Sequence, residues 1–210
     1  MKKFFAVIMF LVCTSYNLYA EPPVQIKGVF PGMTVYSKGA GSDSETGIGA
    51  LIPWADKLWA VGYVAHIRGS GIGLYEICED MTMKRHPESV TGTFANRLVH
   101  WASKQAIIGP HIIDPEGNVR TFKELSKHRL AATAIHLKDP DNMVYFLTME
   151  GKLFEANVHT LESKELADLT KELNLPTDSQ PHFKAAHTAQ GKLVVARISQ
   201  MKSCKRNRIC

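Results

Sequence analysis

The chain has 210 residues, of which 45% are hydrophobic and 21% charged, so it is large enough for one globular domain with a buried core. Its formal net charge of +5 comes from its two ends, because Lys2, Lys3 and five basic residues of 197–210 are not balanced there by any acid. Without those seven cations the body carries a net charge of −2. The bulk charge therefore gives no reason to expect a nucleic-acid partner.

The first twenty residues have the composition of a secretory signal peptide. Lys2 and Lys3 precede a nine-residue apolar run over residues 4–12, and Ala20 ends a plausible cleavage site. That run is too short to span a bilayer, and no later run is long enough for a membrane helix. We therefore predict a signal peptide over residues 1–20 and export from a bacterial cell, to the periplasm or beyond.

An irregular N-terminal segment over residues 21–49 follows the leader. It contains Pro22, Pro23 and Pro31, and its residues 37–47 are rich in glycine and serine without apolar periodicity. We expect a turn-rich connector there.

A short apolar strand, a polar turn and a second apolar strand recur four times after this connector. The copies align on Pro53, His100, His136 and His187, which lie 47, 36 and 51 residues apart. A period near 40–50 residues is typical of β-propeller blades, each of which is a small antiparallel sheet. The sequence therefore predicts an all-β fold, with propeller blades over residues 50–196. The four copies are residues 51–62, 98–109, 134–146 and 185–196.

Glycines mark where further strands begin. A third strand is predicted to open on Gly117 in the second blade and on Gly151 in the third, with residues 71–77 at a similar offset in the first. Residues 114–118 read Asp-Pro-Glu-Gly-Asn, which predicts a tight hairpin turn. Residues 162–173 fit either an outer strand or a short helix, and the sequence leaves that choice open.

The fourth copy is not followed by a glycine-led strand. Residues 197–210 form a basic tail that holds Cys204 and Cys210, and we interpret it as the product of a reading frame lost near Ala196. The prediction is an incomplete propeller of about three and a half blades, in a fragment of a longer protein. Because closed propellers need about 4–8 complete blades, the open sheet edges could lead to oligomers.

Three histidines occupy the aligned position of successive copies and are the candidate catalytic residues. If this position lies on a ring around a propeller axis, then His100, His136 and His187 converge near one end of the channel. Imidazoles act as general bases near neutral pH and bind divalent metals, so either a base or a site for one divalent metal ion is possible. The structural alternative is that each histidine ends its inner strand and bonds to the backbone of a neighbouring blade.

Further residues near these positions are candidates for substrate binding. Arg97 and Arg129 precede the histidines and could hold a carboxylate through two hydrogen bonds, although an ion pair between blades is the alternative. Trp101 follows His100 and could stack on a sugar face, as could Trp54 in the first copy, although both could instead be core residues. His111 interrupts the second strand and could line the same channel mouth.

Three segments carry a resemblance to a known group of proteins. They are IIGPHIIDPEGNVR at residues 107–120, LAATAIHLKDPDN at 130–142 and PHFKAAHTAQGKLVVA at 181–196. They resemble secreted bacterial β-propeller proteins related to polysaccharide-degrading enzymes, such as ulvan and rhamnogalacturonan-type lyases and related rhamnosidases. The resemblance implies a propeller with histidine, tyrosine and arginine at its channel mouth, and in some members a divalent metal held by histidines.

These observations lead to two functional expectations. The first is an exported propeller that acts on an acidic polysaccharide, as a polysaccharide lyase or a glycoside hydrolase. In lytic β-elimination an arginine would neutralise the uronate and a histidine would remove the C5 proton. The second is a non-catalytic propeller that serves as a binding or interaction scaffold. In both, the partner is a polysaccharide or oligosaccharide.

Overall fold

The computed structural model describes residues 46–64, 73–79, 82–175 and 182–198. The predicted leader, most of the connector and most of the basic tail lie outside these residues. Within them the chain is all-β, as predicted, with one 3-10 turn at Leu125–Lys127 and one short helix, α1, at Leu169–Glu172. The strands are β1 Thr46–Trp54, β2 Lys57–Val64, β3 Leu74–Ile77, β4 Met83–Arg85, β5 Arg97–His100, β6 Gln105–Ile108, β7 His111–Ile113, β8 Val119–Thr121, β9 Leu130–Ile135, β10 Met143–Thr148, β11 Lys152–Asn157, β12 Ser163–Asp168, β13 His182–Ala189 and β14 Lys192–Ile198.

The strands form four separate antiparallel sheets in chain order. Sheet 1 has the order β1-β2-β3-β4, sheet 2 the order β5-β6-β7-β8 and sheet 3 the order β12-β11-β10-β9. In the part of the chain that the structure describes, sheet 4 consists of β13 and β14. Each sheet is therefore a meander in which neighbouring strands are joined directly, as the repeat predicts. In the described parts of the chain, no helix is long and apolar enough to cross a membrane.

Two-residue turns set the register of the first and last hairpins. Ala55 and Asp56 both have positive φ, 51° and 55°, between the paired residues Trp54 and Lys57. Gln190 and Gly191, with φ of 51° and 71°, do the same in sheet 4. Two successive positive φ values produce a turn whose twist matches the right-handed twist of the strands.

The glycine-led segment of the second blade is the fourth strand of its sheet, not the third. Gly109, with φ 57°, and Pro110 divide the apolar run that follows His100 into two strands, β6 and β7. The segment after Gly117 is therefore β8, and the predicted turn at residues 114–118 joins β7 to β8, with the Gly117 amide donating to the Asp114 carbonyl at 3.1 Å. In the third blade, the segment after Gly151 is the third strand, β11, as predicted.

Residues 162–173 contain both of the structures that the sequence left open. The strand β12 ends at Asp168, and the carboxylate of Asp168 then caps α1 by accepting from the Thr170 amide at 3.1 Å. An aspartate in this position satisfies one of the amide groups that a helix start leaves unpaired.

The sheets pack face to face in the order in which the chain forms them. One apolar cluster joins the facing sides of sheets 1, 2 and 3, and a second joins sheet 3 to sheet 4. The first strands of successive sheets also touch: β1 contacts β5, β5 contacts β9, and β9 contacts β13. The first cluster includes Ile52, Trp59, Ile107, Phe146 and Phe154, and the second includes Ala134, Leu147 and Phe183.

Phe94 links the first three sheets at the start of β5. Its backbone amide donates to the Gly62 carbonyl in sheet 1 at 3.1 Å, and it forms a parallel bridge with Leu130 at the start of β9. Its ring has no exposed surface and fills space left by glycines, since a Cβ atom on Gly92 would overlap the ring. A Cβ atom on Gly49 would overlap the Phe94 carbonyl, so the backbones approach closely there.

Candidate binding surface at the strand turns

One end of these sheets is formed by the first hairpin turn of sheets 1, 2 and 3 and by the last hairpin turn of sheets 2 and 3. We call this surface the turn face and define it as residues 54–57, 100–105, 114–118, 136–143 and 157–162. Contacts between neighbouring sheets hold these turns together. The guanidinium of Arg120 in sheet 2 donates to the carbonyls of His159 at 2.8 Å and Val158 at 3.2 Å in sheet 3. Arg120 has no signal in the sequence, because nothing in its spacing distinguishes it from other surface arginines.

Trp101 is the most exposed large hydrophobic side chain on the turn face. It opens the turn between β5 and β6 with 75% of its surface exposed. Its ring meets that of Trp54 edge to face, with centroids 6.1 Å apart and an interplanar angle of 68°. Trp54 is held in turn, since its indole nitrogen donates to the Asp114 carbonyl at 2.9 Å and its carbonyl accepts from the Trp59 indole at 2.9 Å.

Pairs of aromatic rings in this geometry stabilise each other beyond the area that they bury. The contact with Trp54 therefore holds the Trp101 ring in a defined orientation, while most of the ring remains exposed to solvent. The alignment that put Trp54 and Trp101 at one position of neighbouring repeats also accounts for their meeting here.

His100 is fully buried and uses both ring nitrogens. Its Nε2 donates to the Pro140 carbonyl in sheet 3 at 2.8 Å, while its Nδ1 accepts from Ser103, whose hydroxyl lies 2.7 Å away. Burial lowers the pKa of His100, and this outweighs the opposing effect of the Pro140 carbonyl. These contacts correspond to the structural alternative, a histidine at the end of an inner strand bonded to the neighbouring sheet.

Replacing His100 with alanine is expected to lower the free energy of unfolding by about 1–3 kcal/mol, because it removes the bonds that the buried imidazole makes to the Pro140 carbonyl and to Ser103. Chemical denaturation at pH 7 measures this. His187→Ala is the matched control, since His187 is exposed and its removal should change stability by less than about 0.5 kcal/mol. Equal losses in the two variants would contradict a bridging role for His100.

His136 is held within its own sheet. Its Nδ1 accepts from the Asp139 amide at 3.0 Å, and its Nε2 lies 3.6 Å from a carboxylate oxygen of Glu155. Its ring packs on that of Tyr145, with centroids 4.5 Å apart. His136 therefore supports the turn between β9 and β10, and its Nε2 faces a carboxylate, which would orient the imidazole if it acted as a base.

His187 lies in a different setting from the other two histidines. It pairs with Val194 in the middle of sheet 4, two residues before the strand ends, and it is exposed. His100 ends β5 and His136 directly follows β9, so each lies next to a turn. The three aligned histidines therefore do not lie at equivalent positions along their strands. Among the described residues there is no group of three or more histidines, cysteines or carboxylates that could hold a metal ion.

The two arginines lie at the end of the sheets away from the turn face. Arg97 is exposed and pairs with Ile108, next to the turn between β6 and β7. Arg129 precedes β9, and its Nε lies 2.7 Å from a carboxylate oxygen of Glu150. Its side chain is only 11% exposed. The structure therefore does not bring either guanidinium next to the imidazole of His100 or His136.

His111 is buried at that same opposite end of sheet 2, where it pairs with Ile108. Its Nδ1 lies 2.9 Å from the hydroxyl of Thr121, and its Nε2 is buried without a hydrogen-bond partner. Burial and, secondarily, the nearby His86 lower the pKa of His111 to about 3. This imidazole is neutral at physiological pH and is closed off from a ligand at the turn face.

The turn face carries more acidic than basic side chains. Lys57, one of its three lysines, is already paired with Glu76 at 2.7 Å. An excess of carboxylates repels a polyanion and favours a neutral partner. The carboxylates are Asp56, Asp114, Glu116, Asp139, Asp141 and Glu162, and the lysines are Lys57, Lys104 and Lys138.

The chain matches no protein-family model, no curated protein and no solved structure.

Proposed function

We propose that these sheets are the blades of a β-propeller. Three features support this: four-stranded antiparallel meanders recur in chain order, they pack face to face, and their first strands contact one another in succession. In a propeller the first strand of each blade lies nearest the axis, which accounts for that succession of contacts. The approach of Lys184 in sheet 4 to the Tyr63 ring in sheet 1, at 6.0 Å, favours a curved rather than a linear arrangement.

We infer that the turn face binds a polysaccharide without cleaving it. The observation that carries this inference is the 75% exposure of Trp101, on a ring held edge to face by Trp54. Exposing a large aromatic surface to water is unfavourable, and such surfaces commonly serve as contact sites. The flat apolar face of a sugar ring is a suitable partner for an indole ring whose orientation is already fixed.

A lytic role has less support from the same geometry. β-Elimination needs a free base and a cation at the same sugar. The ring nitrogens of His100 are both occupied, Arg129 is paired with Glu150, and Arg97 lies at the opposite end. The acidic turn face further favours a neutral glycan over the acidic one expected from the sequence. Export through the predicted leader would bring the protein to where such glycans are found.

The test is the binding of Trp101→Ala to neutral polysaccharides, measured by affinity electrophoresis and calorimetry on a panel of β-glucan, xyloglucan and galactan. We expect binding by the unmodified chain and at least a tenfold weaker affinity in the variant, a loss of about 1.4 kcal/mol or more. Because Trp101 is exposed, the unfolding free energy should change little. Leu166→Ala is the control, since Leu166 is 42% exposed on β12 away from the turn face.

Two results would contradict the proposal. One is the absence of binding by the folded chain across the panel. The other is the release of unsaturated uronate from an acidic glycan, detected by its absorbance and abolished in His136→Ala, which would restore the lyase hypothesis.

A further inference from the structure

As far as the described residues extend, sheet 4 differs from the other sheets in having a second strand that is paired along one edge alone. In sheets 1, 2 and 3 the second strand is hydrogen-bonded on both sides, and in sheet 2 all four residues of this strand, β6, are buried. β14 is the second strand of sheet 4, and among the described residues it pairs only with β13. A two-stranded hairpin is marginal by itself, so this edge is a site at which another strand can add.

β14 has apolar side chains on both of its sides, as expected of a strand that other parts of a protein cover. Leu193 and Val195 pack on the cluster between sheets 3 and 4, while Val194 and Ile198 on the other side are 61% and 54% exposed. The strand holds no proline, and its two charged residues, Lys192 and Arg197, lie at or next to its ends, so its central residues 193–196 carry no charge.

We propose that β14 pairs antiparallel with β14 of a second copy of this chain. Pairing two identical strands antiparallel produces an isologous interface with twofold symmetry, the commonest arrangement in soluble oligomers. It gives the order β13-β14-β14-β13, so the sheet reaches the four strands that the other three sheets have. It also gives β14 the two hydrogen-bonded neighbours that β2, β6 and β10 have.

The charges along β14 select one register for this pairing. With the twofold axis at Val195, each Lys192 lies opposite Ile198 of the other copy and each Arg197 opposite Leu193, so no cation faces another. Moving the axis by half a residue, to between Val194 and Val195, places Lys192 directly opposite Arg197. Like charges directly opposite each other destabilise a strand pair. The register at Val195 uses the full length of the strand without that repulsion.

The composition of the residues that follow β14 favours a second copy over a third strand from the same segment. In sheets 2 and 3 the third strand follows the second after two or three residues and is mainly apolar or alternating. The sequence of residues 199–210 instead contains four cations and only two aliphatic side chains, Met201 and Ile209, a pattern that does not predict a buried strand. The proposal is independent of glycan binding, because Trp101 lies on a different surface.

The first test is the mass of the full chain in solution, measured by light scattering and sedimentation over a range of concentrations. We expect a monomer–dimer equilibrium and at least a tenfold weaker association in Val194→Lys, which adds a charge to each edge without removing a buried side chain. Val194→Thr is the matched control and should dimerise like the unmodified chain. A chain that stays monomeric at all concentrations would overturn the proposal and indicate that the edge is covered within one chain.

The second test is a cross-link that only the proposed register allows. Val195→Cys, in a background with serine at the four native cysteine positions, places one thiol of each copy next to the other at the twofold axis. Oxidation should give a covalent dimer, whereas Ala189→Cys on β13 should not. A dimer that persists in Val194→Lys and does not cross-link through position 195 would overturn the proposal in favour of a different interface.

Discussion

Replacing Phe94 with alanine is expected to lower the free energy of unfolding by about 3–5 kcal/mol, the range for removing a large buried aromatic side chain. The ring is fully buried, and glycines at positions 92 and 109 shape the space around it, so the surroundings cannot easily collapse into the cavity. The residue also joins three sheets through its backbone bond to Gly62 and its bridge to Leu130. The loss should therefore appear in a single cooperative transition.

Denaturant unfolding, followed by tryptophan fluorescence and by circular dichroism, measures this loss. Leu173→Ala is the control, because Leu173 is 55% exposed after α1 and its truncation should cost less than about 0.5 kcal/mol. A loss under about 1 kcal/mol for Phe94→Ala would mean that the first three sheets do not share one core. Separate transitions for the two probes would mean that the sheets unfold independently.

The repeat predicted most of the fold because its signal is local. Two-residue turns and alternating apolar strands are encoded within a few residues, and the pairing of β1 with β2 or of β13 with β14 follows from them. The place of the Gly117 strand in sheet 2 was predicted incorrectly, because the apolar run from Gln105 to Ile113 appears continuous until Gly109 and Pro110 are given a turn of their own. Glycine alone does not reveal which strand it precedes.

The candidate site was harder to predict because it depends on contacts between sheets. The aligned positions placed Trp54 next to Trp101, and the structure brings these two rings together. The same alignment grouped His187 with His100 and His136, but one residue of shift in a strand reverses the side on which a side chain lies. Likewise, no sequence pattern indicates that His100 donates to the Pro140 carbonyl or that Arg129 forms an ion pair with Glu150. Both partners lie in turns that are distant in the sequence.

Two buried histidines, His100 and His111, have different surroundings in this fold. His100 joins two sheets through its bond to the Pro140 carbonyl, and its lowered pKa favours the neutral form, in which Nδ1 can accept from Ser103. Burial likewise disfavours the charged form of His111, whose Nε2 has no hydrogen-bond partner. Both are neutral in the folded protein at pH values where the unfolded chain would protonate them, which makes the fold sensitive to acid.

His111→Leu is expected to make the protein more resistant to acid. The unfolded chain protonates this histidine near pH 6.5, whereas the folded protein does so only near pH 3. Between these values the unfolded state binds more protons, so the stability of the unmodified chain falls as the pH decreases. For a pKa difference of this size the loss between pH 7 and pH 4.5 is about 2–3 kcal/mol. The leucine variant lacks this contribution and should lose correspondingly less stability over the same range.

At pH 7 the same replacement should have a small effect, because it removes a buried ring nitrogen that has no partner along with the bond to Thr121. Ile113→Val on the same strand is the control, since a change in packing alone should shift stability equally at both pH values. Unfolding curves of the three proteins at pH 7 and pH 4.5 provide the comparison. If His111→Leu loses as much stability between the two pH values as the unmodified chain, then His111 is not the buried neutral group that makes this fold sensitive to acid.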